Sequence, residues 1–153
     1  MNPREQVESL VYRSCMTLDA LDFDGYLNLC DGGYTYTIGA YSPEIRKDMI
    51  WLHHDKDGMS KLFKQLPRHN SDSSPLSRHA TIYSIDVADG DKEADVVSFL
   101  QVFRTNLDGG ATQLYAVGKM YDKVKLNGNG ATLFSRNIKL DTRELGIGHH
   151  VPF

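Results

Sequence analysis

At 153 residues the chain is the length of one ordinary domain and is long enough to bury a core. Hydrophobic residues at 41% and charged residues at 24% exclude a disordered chain, a collagen and a disulfide-stapled miniprotein. Seventeen Lys and Arg against twenty Asp and Glu give a formal net charge of −3 with no basic block, so the electrostatic footprint of a nucleic-acid or anionic-membrane binder is missing. The two cysteines, Cys15 and Cys30, form no C-x-x-C pair and fit a reduced, cytoplasmic setting. The opening MNPREQVESL lacks the basic-then-apolar order of a secretory signal, and no apolar run approaches the ~18–20 residues of a membrane helix. The composition predicts one domain, residues 1–153.

Asn2-Pro3-Arg4-Glu5 combines a capping residue, a proline at the first helical position and a glutamate three residues after the cap, which together start a helix. Val7, Leu10, Val11, Cys15, Leu18 and Leu21 then recur at spacings of three and four and predict one buried stripe. Asp22 caps a second short helix over 23–30, ended by Asp31-Gly32-Gly33. Residues 34–38, all aromatic or β-branched, predict the first strand, and 48–53 a second. Asp55 caps a third helix whose Met59, Leu62, Phe63 and Leu66 share a face and which Pro67 closes. Residues 68–75 are polar and read as a loop.

The second half is read as four long strands, 76–87, 94–106, 112–126 and 131–140, joined at Asp89-Gly90-Asp91, Asp108-Gly109-Gly110 and Asn127-Gly128-Asn129-Gly130. Short turns of this kind make antiparallel neighbours. The fold class expected is α+β, three helices packed on one face of a strongly curved sheet of about six strands. Along 96–103 the even residues are Val96, Ser98, Leu100 and Val102, and the odd ones Val97, Phe99, Gln101 and Phe103, so both faces are mainly apolar. A sheet covered on one side would alternate. Tyr115, Val117 and Tyr121 oppose Leu114, Ala116 and Met120 in the same way, whereas 131–140 alternates with Thr132, Phe134, Ile138 and Leu140 on one side. The second face therefore calls for a neighbouring subunit, or for curvature that closes a pocket.

Chemistry is harder to find. His53-His54 and His149-His150 are adjacent pairs, and adjacent strand residues point to opposite faces, so neither pair readily supplies two ligands to one ion. Facial-triad spacing, the Cys-x-His half of a Rieske site, G-x-S-x-G, the P-loop and G-x-G-x-x-G are all lacking; Gly128-x-Gly130 and Gly146-x-Gly148 read as turn and tail glycines. The sequence assigns no catalytic, cofactor-binding or metal residue. An acid–base group drawn from Arg78, His79, Tyr36, Tyr83, Tyr115, Tyr121, Asp122 and Arg136 is conceivable inside a curved sheet, and a structural hydrogen-bond network is the commoner use of such residues.

Three stretches carry a resemblance: Pro75-Leu76-Ser77-Arg78-His79 opening a long strand, Gly118-Lys119-Met120-Tyr121-Asp122 on the penultimate one and Ser135-Arg136-Asn137-Ile138-Lys139-Leu140-Asp141 on the last. In their order, and with the elements around them, the chain resembles the small, or beta, subunit of ring-hydroxylating dioxygenases and related Rieske non-haem iron oxygenases, which have a cone-like nuclear-transport-factor-2-like fold. Tyr41-Ser42-Pro43-Glu44-Ile45, Leu66-Pro67-Arg68-His69-Asn70 and the stretch from Leu145 to Phe153 look most similar to the methanesulfonate monooxygenase branch. The resemblance implies a subunit without a redox centre or cofactor of its own, assembled as a homotrimer against three large (alpha) subunits, an alpha3beta3 complex in which the large subunits hold the Rieske iron–sulfur cluster and the mononuclear iron. It gives no catalytic residue, and carries over Arg78, His79, Asp122 and Arg136 as structural or interface positions, with His79 expected to hold a buried partner. The alternative is a stand-alone, cofactor-free isomerase or dehydratase, or a small-molecule-binding protein, of the same fold. Ionisable groups facing a closed cavity would favour that alternative; an interior filled by side chains beneath an apolar outer sheet would favour the subunit.

Overall fold

A computed structural model describes residues 1–69, 74–143 and 153, with no side chain described at 67–69. Helix α1 (Pro3–Asp19) begins as its sequence dictates: the Asn2 side chain accepts the Glu5 N–H at 2.8 Å, and the Glu5 carboxylate accepts the Asn2 N–H at 3.3 Å. Val7, Leu10, Val11, Cys15 and Leu18 form its buried stripe, joined by Gln6 and Ser14. Leu21 does not belong to it. The helix has already ended, and Leu21 sits at φ +55°, 67% exposed.

Helix α2 (Phe23–Asn28) is capped by Asp22, whose carboxylate accepts the Gly25 N–H at 2.9 Å. It stops before Cys30, and strand β1 (Cys30–Ser42) starts earlier than the aromatic run suggests. The cause is pairing: the Leu133 N–H donates to the Leu29 carbonyl at 2.8 Å, and a register shift between Cys30 and Thr35 absorbs Asp31-Gly32-Gly33 into the ladder. Strand β2 (Lys47–Asp55) is followed directly by helix α3 (Lys56–His69), where Asp55 accepts the Gly58 N–H at 2.7 Å. Pro67 does not close α3. It stands in the last turn, where the bond its missing N–H forfeits is among the last the helix could make, and the helix continues to His69.

Strands β3 (Leu76–Val87), β4 (Glu93–Thr105), β5 (Thr112–Leu126) and β6 (Ala131–Leu140) form the meander. One sheet results, in the order β2-β1-β6-β5-β4-β3, antiparallel except where β1 and β6 run parallel. Its edges β2 and β3 do not meet, so the sheet is open. Register shifts at Ile38/Gly39, Ile82/Ser84, Val102/Phe103 and Lys123/Val124 bend it, since each puts an extra residue on one strand. The last of these corrects the phase expected for β6. Val124 pairs with Leu133 and Lys123 with Ser135, so Leu133 is buried with Ile138 and Leu140, and Phe134 lies half-buried under the Lys125 ammonium, 4.2 Å from its ring centroid. The helices lie on the inner face, where Val96, Leu100, Val102, Ala116, Met120, Val124 and Ile138 meet the α1 stripe and Met59 and Phe63 of α3.

Two glycines let strands approach closely. A Cβ on Gly118 would stand 2.5 Å from the Lys139 carbonyl oxygen, and one on Gly39 would stand 2.2 Å from that of Met49. Backbone cannot retreat as a side-chain tip can. Gly118→Ala is expected to lower unfolding free energy by about 1–3 kcal/mol in urea titration; Gly32→Ala, with no atom within 4 Å of the added carbon, is expected to leave the midpoint nearly unchanged.

Candidate functional site

The inner face carries an ion pair at its centre. Cross-strand register places Asp122 of β5 opposite Arg136 of β6, and both point toward the helices. Arg136 donates through Nε to Asp122 Oδ1 at 2.8 Å and through Nη2 to Oδ2 at 3.0 Å, a two-pronged pair whose side chains are 1% and 0% exposed. Nη2 also donates to Ser14 Oγ at 2.9 Å, and Ser14 donates to the Val11 carbonyl at 2.6 Å, so the pair is tied to α1. Burial lowers the guanidinium's pKa; the Asp122 carboxylate and the neighbouring Tyr26 and Tyr34 together raise it, and the net shift is upward. A second pair stands at the other end of α1: Asp19 accepts from Arg78 Nη1 at 2.9 Å and from the Arg78 backbone N–H at 3.0 Å, pinning the start of β3.

Beside the central pair lie three fully buried tyrosines. Tyr26 of α2 and Tyr34 of β1 share a hydroxyl–hydroxyl hydrogen bond of 2.5 Å. The Tyr36 hydroxyl accepts the Phe153 N–H at 2.8 Å. Burial raises the pKa of all three. Burial likewise raises Cys15, and raises Cys30 from 9.0 to about 12. The set is polar and, apart from the paired ions, neutral, with burial holding the protons on its hydroxyls and thiols.

Of the residues singled out from sequence, Arg78, Asp122, Arg136 and Tyr36 face inward, and Asp122 meets Arg136 directly. His79 lacks the buried partner expected of it. Next to inward-facing Arg78 on a strand it must point outward, and it is exposed, edge-on to Phe103 at 5.3 Å and within 3.4 Å of Ser77 Oγ. Tyr83 and Tyr121 are also on the exposed side, so the imagined acid–base group is split by the sheet. His53 and His54 diverge as expected: His53 is exposed and bonded to Thr37 at 2.7 Å, and His54 is half-buried against α3 at Gly58. His149-His150 and the Gly146-x-Gly148 stretch lie outside the described residues. Among the described residues no group of three or more His, Cys, Asp and Glu converges as a metal site, and no helix is long and apolar enough to cross a membrane.

The outer face is the other candidate. Val97, Phe99 and Phe103 of β4 and Val117 of β5 lie half-buried there, with no helix over them. Tyr83 stacks on Phe99 at 6.1 Å and 15°, and Lys139 lies 5.5 Å from the Tyr121 ring centroid. The sequence had disclosed this face through its lack of alternation. It did not disclose Phe153, Ser14 or Asp19 as partners of the interior, because each is joined to its partner only by the fold.

The family model for the ring-hydroxylating beta subunit matches residues 13–146. The chain is 40% identical to the methanesulfonate monooxygenase hydroxylase subunit beta of Methylosulfonomonas methylovora, covering 97% of this chain and 86% of that protein. It is 30% identical to the 2-aminobenzenesulfonate 2,3-dioxygenase subunit beta of an Alcaligenes species, covering 95% and 96%. A solved structure assigned as an aromatic-ring-hydroxylating dioxygenase beta subunit, from Novosphingobium aromaticivorans, shares the fold with a TM-score of 0.76 at 20% identity, covering 92% of this chain and 90% of that one.

Two outcomes are expected. Asp122→Asn leaves the buried Arg136 charge without its counter-ion and should cost about 3–5 kcal/mol in chemical denaturation, most of it recovered when Arg136→Met is added to Asp122→Leu. The raised thiol and phenol pKa values mean that the folded chain holds these protons more tightly than the unfolded chain. Stability is therefore full below about pH 9 and falls as pH rises from 9.0 toward about 12, which a series of urea midpoints across that range would record.

Proposed function

The chain belongs to the ring-hydroxylating beta-subunit family, and we propose that it serves as the small subunit of a Rieske-type oxygenase of the methanesulfonate monooxygenase kind, a single-domain scaffold without an active site of its own. The observation that carries this reading is the outer sheet face, a row of half-buried Val97, Phe99, Phe103 and Val117 that the chain's helices leave uncovered. The complementary observation is the interior, filled by tyrosines and a closed ion pair where an acid–base enzyme of this fold would need room for substrate. In this reading three copies pack together, and three large subunits complete an alpha3beta3 assembly in the cytoplasm, supplying the Rieske cluster, the mononuclear iron and the substrate pocket.

Both curated relatives are named for sulfonates, one aliphatic and one aromatic. The oxygenase served by this chain accordingly takes a sulfonated substrate, and the large subunit chooses which. The 40% identity over nearly the whole chain favours the monooxygenase branch over the aromatic one.

Purified alone, the chain is expected to run at about three times the 17.2 kDa protomer mass in light scattering, and to co-purify with its large subunit as an iron-containing complex. Phe99→Asp should weaken that assembly at least tenfold and leave the far-ultraviolet spectrum unchanged, because the side chain stands on the outer face. A monomer at micromolar concentration, or turnover of a substrate by the purified chain alone, would refute the scaffold reading.

A further inference from the structure

Leu21 ends α1 in a conformation that leucine avoids. The Asp22 N–H donates to the Thr17 carbonyl at 2.8 Å and the Leu21 N–H to the Leu18 carbonyl at 3.1 Å, the pair of bonds that closes a helix through a left-handed residue. That residue is usually glycine, because a Cβ at φ +55° crowds its own backbone. The side chain recovers nothing inside the chain, being 67% exposed. It extends an apolar stripe on the solvent side of α1, where Tyr12, Met16 and Ala20, all exposed, recur every four residues. Asp22 and Asp24, also exposed, follow it in the chain. Asp19, two residues before Leu21, is paired with Arg78 at the start of edge strand β3, so this end of α1 stands at the rim of the sheet.

The outer sheet face carries the opposite charge beside its apolar residues. Cross-strand register aligns Thr81, Phe99, Lys119, Lys139 and Gly39 in one row from β3 to β1. The two lysines are exposed and directly opposite each other, and the row contains no carboxylate; like charges so placed repel. Two copies meeting sheet to sheet about a two-fold axis would set these lysines against the partner's. The end of α1 brings carboxylates to them instead, together with an apolar side chain for Phe99. We propose that in the three-copy assembly, and resting on the scaffold reading above, the outer face of each copy receives the α1 end of the next: Leu21 and Met16 cover Phe99 and Val117, and Asp22 and Asp24 face Lys119 and Lys139. Because two different surfaces meet, successive copies follow one another around a ring. The left-handed Leu21 burdens the lone chain and is compensated only in the neighbouring copy.

The test is self-association of the full chain, followed by sedimentation over a dilution series, with urea unfolding of the dissociated chain as the control. Leu21→Gly suits the left-handed position and should keep the folded-to-unfolded ratio at or above that of wild type. It should nevertheless weaken association about tenfold or more, as expected when one leucine side chain is withdrawn from an interface. Asp24→Lys should weaken association too, and adding Lys119→Glu and Lys139→Glu to it should recover about threefold. Undiminished association of Leu21→Gly, or no recovery in the combined variant, would overturn the proposal; if Phe99→Asp still dissociates the copies, the scaffold reading survives that result. Retention of three copies by Leu21→Gly with loss of the large subunit would also overturn it, by assigning the α1 end to that partner. A monomeric wild type would overturn both readings.

Discussion

The two-pronged bond between Arg136 and Asp122 is the constraint around which the inner half of the molecule is arranged. Two full charges with almost no exposed surface are tolerable only when every donor and acceptor finds a partner. Arg136 therefore recruits Ser14, and through it the middle of α1, so that helix, β5 and β6 are held in one relation. Asp19 and Arg78 repeat the arrangement at the end of the helix, fixing its direction across the sheet. Apolar packing supplies most of the burial, and these two polar ties decide where on the sheet α1 can sit.

Fixing the helices to one face leaves the other without a described helix over it. The strands of the meander are apolar on both sides at β4, and a fold with helices on one side satisfies only half of that demand. Register shifts in these pairings bend the sheet without covering its outer face. The interior is locked by ions and tyrosines, whereas the outer face of β4 keeps its apolar residues half-buried.

The interior also bears on how one fold hosts different activities. A curved sheet with helices across it encloses a hollow, and the side chains that fill or line that hollow decide whether it is a core or a pocket. Here Tyr26, Tyr34 and Tyr36 are driven to neutral, hydrogen-bonded states, and Phe153 enters from outside the regular elements. The polar groups stabilise one another through these bonds.

Much of this was legible in the sequence. The capping residues Asn2, Asp22 and Asp55 start three helices through bonds to backbone three residues away, and glycine-bearing turns set the antiparallel meander, because both are local effects. The uncovered face was legible too, since apolar residues at odd and even positions of one strand have no single side to hide on. Tertiary structure decided the rest. The early start of β1 and the changed phase at Phe134 follow from pairing with neighbouring strands, and α3 passes Pro67 because the proline stands in its last turn. His79 and Arg78 are neighbours in sequence with opposite fates, because strand alternation separates them and only the position of α1 determines which side is inside. The partnerships of Arg136 with Ser14 and of Tyr36 with Phe153 span 122 and 117 residues, and no local preference encodes a hydrogen bond over such a distance until the chain has closed on itself.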